Sequence, residues 1–363
     1  MLRRRLLNSL DFPTLLAALA LCGLGILAIA SATVDSPGKT GLWRAQLVWL
    51  AIALAATVVV VAVDYHFWAE FSLLLHGAVV LLLVAVLFLG KEVGGNRSWL
   101  EVGPVRFQPS ELAKWTTCLI VAGYLSERVR GSMGLRQAIE VGGLVGVPMA
   151  LVALQPDMGT VLTFLPVALA ALVLGGLRWK VIVVTVLLGL PLAPIAWNHM
   201  KDYQKERVRT VLDPERDPSG VGYQVRQSKI AVGSGKLTGK GLFRGTQSRL
   251  NFLPAQHTDF VLAVISEDLG FMGAVTVLGL FYFVLYRGIV AARSAQDRLG
   301  TYICLLVVAW VSGQLAINVG MVLGLLPTIG VPLPLMSYGG TALLAAMSGV
   351  ALIMNVRTRR FVN

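Results

Sequence analysis

Residues 244–270 read RGTQSRLNFLPAQHTDFVLAVISEDLG, a polar turn bearing Gln256, His257 and Asp259 set directly against the start of an apolar run. A carboxylate at such a junction can reach a polar substrate while lying next to a low-dielectric wall, a setting that tunes an acid for proton transfer. Other ionisable residues stand in comparable places. Glu111 and Lys114 follow Pro109-Ser110, three residues apart and therefore on one helix face, and Asp157 follows Gln155-Pro156. Charged groups at membrane depth are costly and usually face a cavity or a partner. Three acids at three helix starts imply one polar pocket if those helices are neighbours. Helix amino termini also present free N–H groups and positive dipole ends, which suit a phosphate or diphosphate. Each acid alone is equally an ordinary capping choice. Glu111 with Lys114 also reads as an ion pair pinning helices, and His257 as a helix-start hydrogen bonder.

The elements that must hold these residues are membrane spans. The chain has 363 residues, 56% hydrophobic and only 14% charged, too apolar for a soluble domain, whose apolar share is about 45–50%. A spanning helix needs about 20 mostly apolar residues. By that ruler ten spans are expected, at 12–34, 42–63, 70–89, 109–125, 138–154, 157–177, 180–197, 259–286, 300–323 and 340–356. The run from Phe12 is too long for a cleaved signal and reads as a retained first helix. The expectation is an all-α, multi-pass protein forming a single membrane domain over 1–363.

With the amino terminus in the cytoplasm, Arg3, Arg4, Arg5, Arg128, Arg130, Arg136, Arg178, Lys180, Arg287, Arg293, Arg298, Arg357, Arg359 and Arg360 gather on the cytoplasmic side, as the positive-inside rule requires. Both termini are then cytoplasmic. The short outer loops hold Lys39 and Arg44, then Lys91, Arg97 and Arg106. The large outer loop, 198–258, carries eleven basic residues. Attraction to anionic head groups and binding of a phosphate-bearing substrate explain that charge equally well. The net charge of +12 lies at helix ends and in this loop, with no pattern suited to nucleic acid. The three cysteines fall in apolar runs without paired spacing, and the four histidines lack metal-ligand spacing. Residues 233–241, GSGKLTGKG, fail as a nucleotide loop because Ser234 stands at the first required Gly and Gly241 at the required Ser or Thr. In the stretch Leu326–Gly340, Pro327, Pro332 and Pro334 exclude regular helix. Irregular backbone at this depth lines a cavity or is buried in protein, so it reads as a wall of the same pocket. Of the neighbouring pair Glu267 and Asp268, one is expected to make a buried hydrogen bond or ion pair.

Five motifs taken together resemble a known family: QPSELAK (Gln108–Lys114), QPDMGT (Gln155–Thr160), YQVRQSKIAVGSG (Tyr223–Gly235), GTQSRLNFLPAQHTDF (Gly245–Phe260) and INVGMVLGLLPTIGVPLPLMSYGG (Ile317–Gly340). In order and over nearly the whole chain they look like the SEDS proteins of bacteria, and the GTQ brings them nearer the RodA branch than the FtsW branch. Ala255 stands where the family often has Glu, and Thr341 where Ser is frequent. The resemblance implies a peptidoglycan glycosyltransferase of the bacterial cytoplasmic membrane that polymerises lipid II during elongation. It further implies an undecaprenyl diphosphate leaving group, a class B penicillin-binding transpeptidase as partner, and other elongation-complex proteins around it.

That chemistry needs a carboxylate to take the proton of the attacking hydroxyl and positive charge or oriented donors for the departing diphosphate. Asp259 is expected to supply the first. Lys114, Glu111, Asp157, Arg97, His257 and Gln256 are candidates for substrate binding, and a divalent cation such as Mg²⁺ or Mn²⁺ bridging acid and diphosphate is compatible with them. An Asp at a helix start should have a lowered pKa, which makes it a weak base unless the pocket desolvates it. A lipid II flippase or transporter is the alternative; it would place its site near the midplane, whereas these acids sit toward one edge.

Overall fold

The computed structural model describes residues 11–36, 38–93, 96–103, 105–177, 220–250 and 252–360, with 198, 205–207, 209 and 210 between them. Nine of the ten expected spans fall on helices: α1 (Phe12–Thr33), α2 (Leu42–Ala62), α4 (Ser72–Leu89), α5 (Pro109–Arg128), α6 (Leu135–Leu154), α7 (Met158–Leu174), α10 (Val261–Arg293), α11 (Arg298–Val322) and α12 (Gly340–Arg359). The expected span at 180–197, with Arg178 and Lys180 before it, lies outside the described residues, as do Arg3 to Arg5 and most of 198–219. Seven of the nine are long and apolar enough to cross a membrane on length and composition alone. Of the other two, α7 has 17 residues and α5 is diluted by Glu111, Lys114 and its threonines.

Three features depart from the sequence reading. The expected span at 70–89 is split at Phe71, so that a short α3 (Tyr65–Glu70), capped by the Asp64 side chain, precedes α4. The all-α expectation omits a small antiparallel sheet, β1 (Lys91–Val93), β2 (Asn96–Val102) and β3 (Val105–Phe107), ordered β1-β2-β3. Opposite charges stand across it, Glu101 facing Arg106 in register with an ion pair of 2.9 Å, and Lys91 reaching the same carboxylate. Finally, the basic loop is partly helical. It contains α8 (Val221–Ser234) and α9 (Thr246–Arg249), and α8 packs along α10 and α11.

The core is built on α12, which packs against α1, α2, α5, α10 and α11 and is buried along almost its whole length. Small residues permit this, since spanning helices pack through close backbone approach. A Cβ at Gly340 would strike the Trp49 ring, and one at Gly349 would press on Trp310 at 3.1 Å.

The spanning helix α10 is broken at Gly270, whose φ of 66° is left-handed. The break frees backbone groups that segment 236–241 takes up. Lys240 N donates to Glu267 O at 3.0 Å and Gly241 N to Asp268 O at 2.9 Å, while Phe271 N donates to Lys236 O at 2.8 Å. Two glycines of GSGKLTGKG permit this contact, because a Cβ at Gly235 or Gly239 would collide with the Ser266 or Asp268 carbonyl. Glu267 then receives Lys240 Nζ at 2.7 Å and the amides of Gln247 at 2.9 Å and Ser248 at 3.2 Å, so it pairs with a cation and satisfies the first turn of α9.

Candidate active site

The three acids converge. Glu111 in the first turn of α5, Asp157 at the N-cap of α7 and Asp259 in the turn before α10 line one cavity of about 190 Å³. Gln108, Thr160, Thr258, Gly330, Pro332 and Tyr338 line it as well, together with Asn96, Ser98 and Trp99 of β2. The sheet absent from the sequence reading therefore supplies part of the site. Asp259 is not a first-turn helix residue as expected: α10 begins at Val261 with Phe260 as its N-cap.

The Pro-rich stretch is the wall anticipated for it, and side chains from two helices hold it irregular. Asn318 Nδ2 on α11 donates to the carbonyl of Asp259 at 2.8 Å and to that of Val331 at 2.7 Å. One turn away, Gln314 Nε2 donates to Pro332 O at 2.8 Å, while its Oε1 accepts from Trp310 Nε1 at 2.9 Å and Lys114 Nζ at 3.2 Å. From α2, Gln46 donates to Ser337 O at 3.1 Å. Tyr338 N donates to His257 O at 2.9 Å, and Ser337 Oγ donates to Thr258 O. Gly330, left-handed at φ 75°, lies so close that a Cβ there would be 3.4 Å from Asp259 Oδ2. A Cβ at Gly159 would collide with the Ile329 carbonyl. The turn bearing Asp259 is thus stitched on both sides to backbone that cannot shift independently.

Electrostatics separate the acids. Asp157 accepts Thr160 N at 3.1 Å and Thr160 Oγ1 at 2.8 Å as a helix cap, and Gln108 Nε2 at 3.0 Å. Glu111 is paired with Lys114 at 2.8 Å, both fully buried. Asp259, outside the spanning helix and half-buried, is pushed up to about 6 by burial, with the charge of Asp157 adding and a Thr258 hydrogen bond and the Arg207 cation opposing. The lowered value expected of a helix-start Asp is reversed, because the residue precedes the helix and loses water. His257 is pushed down to about 4 by burial and by the cation of Lys39, so it is neutral near pH 7.

Of the residues singled out from sequence, Glu111, Asp157 and Asp259 line the cavity. Lys114 lies behind Glu111, with Trp310 5.6 Å from its ammonium. Three others, like Lys114, do not enter the lining. Arg97 is exposed on β2 beside the inward Ser98. Gln256 is buried, donating to Ala32 O at 2.5 Å and Ser248 O at 3.0 Å. The ring of His257 lies 5.8 Å from that of Tyr338 and is not part of the lining. Gln314 and Asn318 were missed, although two amides four residues apart in an apolar helix are the kind of pair that signals an inward polar face. Arg207, the cation acting on Asp259, was counted in the basic loop but not singled out. Among the described residues no group of three His, Cys, Asp or Glu side chains is placed to hold a metal ion, and Asp157 is already committed to its cap. These residues do not by themselves build a Mg²⁺ or Mn²⁺ cage.

Residues 13–361 match the sequence profile of the FtsW/RodA/SpoVE family, described as cell cycle protein. The peptidoglycan glycosyltransferase MrdB of Escherichia coli strain K12 is 41% identical over 357 residues, covering 97% of this chain and 94% of the relative. The probable peptidoglycan glycosyltransferase FtsW of Nitrosococcus halophilus is 37% identical over 358 residues, covering 95% and 92%. A chain from a solved structure described as structural coordination of polymerization and crosslinking by a peptidoglycan synthase complex superposes with a TM-score of 0.83 at 30% identity, covering 98% of this chain and 99% of that one. The crystal structure of the rod shape determining protein RodA from Thermus thermophilus gives a TM-score of 0.72 at 26% identity, with 98% of each chain covered. Helices, motifs and relatives agree on a multi-pass bacterial membrane protein, and the chain belongs to the FtsW/RodA/SpoVE family, the SEDS proteins that its motifs resemble.

Proposed function

We propose that this chain is a peptidoglycan glycosyltransferase that polymerises lipid II into glycan strands during cell-wall elongation, with Asp259 as its general base. The observation that carries the reading is the separation of the three acids. One caps a helix, one is neutralised by Lys114, and Asp259, pushed up to about 6 by burial, is the one of the three with neither a helix to cap nor an ion pair among the described residues, although burial raises Asp157 as well. Ionised near pH 7 yet more basic than an ordinary Asp, it suits proton abstraction.

In the reaction the acceptor sugar hydroxyl attacks the anomeric carbon of the donor. The new glycosidic C–O bond forms as the bond to the diphosphate breaks, the bonding pair leaves with undecaprenyl diphosphate, and the hydroxyl proton passes to Asp259. Arg207 and the basic segment 220–249 oppose the charge that accumulates on the leaving group. Lys114 acts at one remove, fixing Glu111 and, through Gln314, the Pro332 wall. Class B penicillin-binding transpeptidase and elongation-complex proteins are the proposed partners. Exposed apolar faces such as 144–154 of α6 offer surface for a partner's spanning helix. The test is to give the detergent-solubilised chain purified lipid II. Glycan polymer is expected, and a flippase would make none, since a micelle has no second compartment to fill.

A further inference from the structure

At the end of the bundle that the proposed topology puts in the cytoplasm, one buried carboxylate carries two guanidiniums. Asp11, at the N-cap of α1, accepts Thr14 Oγ1 at 2.6 Å on one oxygen and Arg287 of α10 on the other, while Arg357 Nε of α12 stands 3.5 Å from the oxygen that Thr14 holds. Arg287 Nε also donates to Thr14 Oγ1 at 3.2 Å. Neither arginine has another acid among the described residues, and Arg357 Nη1 is buried there without an acceptor. Arg360 adds a like charge acting on Arg357. Positive charge is thus left over where water hardly reaches, the side chains of Arg287 and Arg357 being only 17% and 14% exposed. Charges held out of water are normally paired, so the site as built is short of one anion.

The level of the site selects the anion. Phe12 follows Asp11 and Tyr286 precedes Arg287, and both rings are exposed, on two helices that pack against each other. One turn further from this end, Leu16 and Tyr282 are exposed as well, with the Tyr282 ring stacked on that of Tyr286 at 6.3 Å between centroids. Exposed aromatic rings at the ends of spanning helices mark the head-group level of a bilayer. A phosphate at that level belongs to a lipid, and basic pockets between spanning helices on the cytoplasmic side suit anionic head groups. A guanidinium offers phosphate oxygens two parallel N–H donors. A zwitterionic head would bring a cation of its own into a site that already has one too many.

We infer that Arg287 and Arg357 bind the phosphate of an anionic phospholipid of the cytoplasmic leaflet, with its chains along Phe12 and Leu16 of α1 and Tyr282 and Tyr286 of α10. The site is separate from the Asp259 pocket: α12 has Thr341 in the lining of that pocket at one end and Arg357 at the other. The inference does not depend on the reaction proposed there.

The test titrates the full chain in neutral detergent with phosphatidylglycerol, phosphatidylcholine or soluble glycerol phosphate, and counts bound molecules by native mass spectrometry. Phosphatidylglycerol is expected to bind saturably, with the other two at least ~10-fold weaker, the worth of one charge-assisted contact. Arg357→Gln removes the surplus charge without stranding Asp11, which keeps Arg287 and Thr14, so it should fold and should weaken phosphatidylglycerol by about 10-fold. Arg136→Gln, at an exposed cytoplasmic arginine paired with Glu140, should bind like the parent. Asp11→Asn supplies a second measurement: it should melt earlier than the parent in phosphatidylcholine nanodiscs and recover when phosphatidylglycerol is added, because the phosphate takes over the carboxylate's contacts. A purely structural ion triad would leave the same deficit in both lipids, and that result would overturn the inference. So would an equal loss of binding in Arg136→Gln, which means diffuse attraction to the membrane surface, or unchanged binding in Arg357→Gln. Glycerol phosphate binding as tightly as phosphatidylglycerol would make the ligand a soluble anion and likewise overturn it.

Discussion

Asp259 owes its chemistry to two neighbours that contribute no charge. Asn318 pins its carbonyl, and the bare Cα of Gly330 lets the carboxylate lie against backbone and lose water. A base with a raised pKa works only when ionised, so polymerisation should be full near pH 8 and fall as pH drops through about 6. A pH–rate profile of the purified chain checks this. The same shift has a stability consequence of opposite direction. A carboxyl whose folded pKa exceeds the unfolded value, about 3.9, stabilises the fold fully only below that value and loses the benefit as pH rises through about 6. Asp259→Asn, permanently neutral, should therefore be more stable than the parent by about 1–3 kcal/mol at pH ~8 and equal to it below pH ~4, read by thermal melting at both pH values. Lys114 behaves differently. Losing one partner of a buried pair costs about 3–5 kcal/mol, so Lys114→Met should melt far earlier than Lys91→Met, whose exposed pair is worth at most about 1 kcal/mol. At this scale the sequence disclosed the acids, because charge inside apolar runs stands out. It could not disclose that Arg97, Gln256 and His257 point elsewhere, since a residue's position in a loop does not determine its direction.

The element that most depends on local chemistry is the broken helix α10. Its kink is held by backbone pairing to 236–241 and by Glu267, which receives Lys240 and two amides. A Cβ at Gly270 would meet the backbone of Leu237 and Gly239 at a left-handed φ of 66°. Gly270→Ala should thus cost several kcal/mol and lower the melting temperature, whereas Gly279→Ala, with open space around it in the same helix, should be neutral or gain about 0.5–1 kcal/mol from helix propensity. From sequence, GSGKLTGKG resembled a defective nucleotide loop. Its real determinant is a partner backbone thirty residues onward, which no local pattern reveals. The three-stranded sheet escaped for a related reason: its strands are 3, 7 and 3 residues long, too short for alternation to outweigh turn signals. The spans themselves were legible because a membrane imposes one length and one composition on each.

On the scale of the whole molecule, the proposed arrangement is one membrane domain with both termini in the cytoplasm and segment 220–258 outside. Ser219, the obvious labelling position in the large loop, lies outside the described residues, so exposed positions flanking α10 serve instead. With the native cysteines buried, a cysteine at Lys236 should react with an impermeant maleimide in intact spheroplasts and one at Arg293 should not; the reverse pattern would invert the topology. The proposed complex predicts co-purification with a co-expressed class B transpeptidase in mild detergent, and loss of both proteins' association would remove it. The central claim is that the assembled pocket polymerises lipid II through Asp259, and it is tested most directly by the initial rate of glycan formation by purified Asp259→Asn against the parent at pH ~8, with melting temperature measured on the same samples. General-base help is worth about 10²–10⁴-fold, so the predicted result is a loss of that size in a variant that melts no earlier than the parent, and a rate within a few-fold of the parent would contradict it.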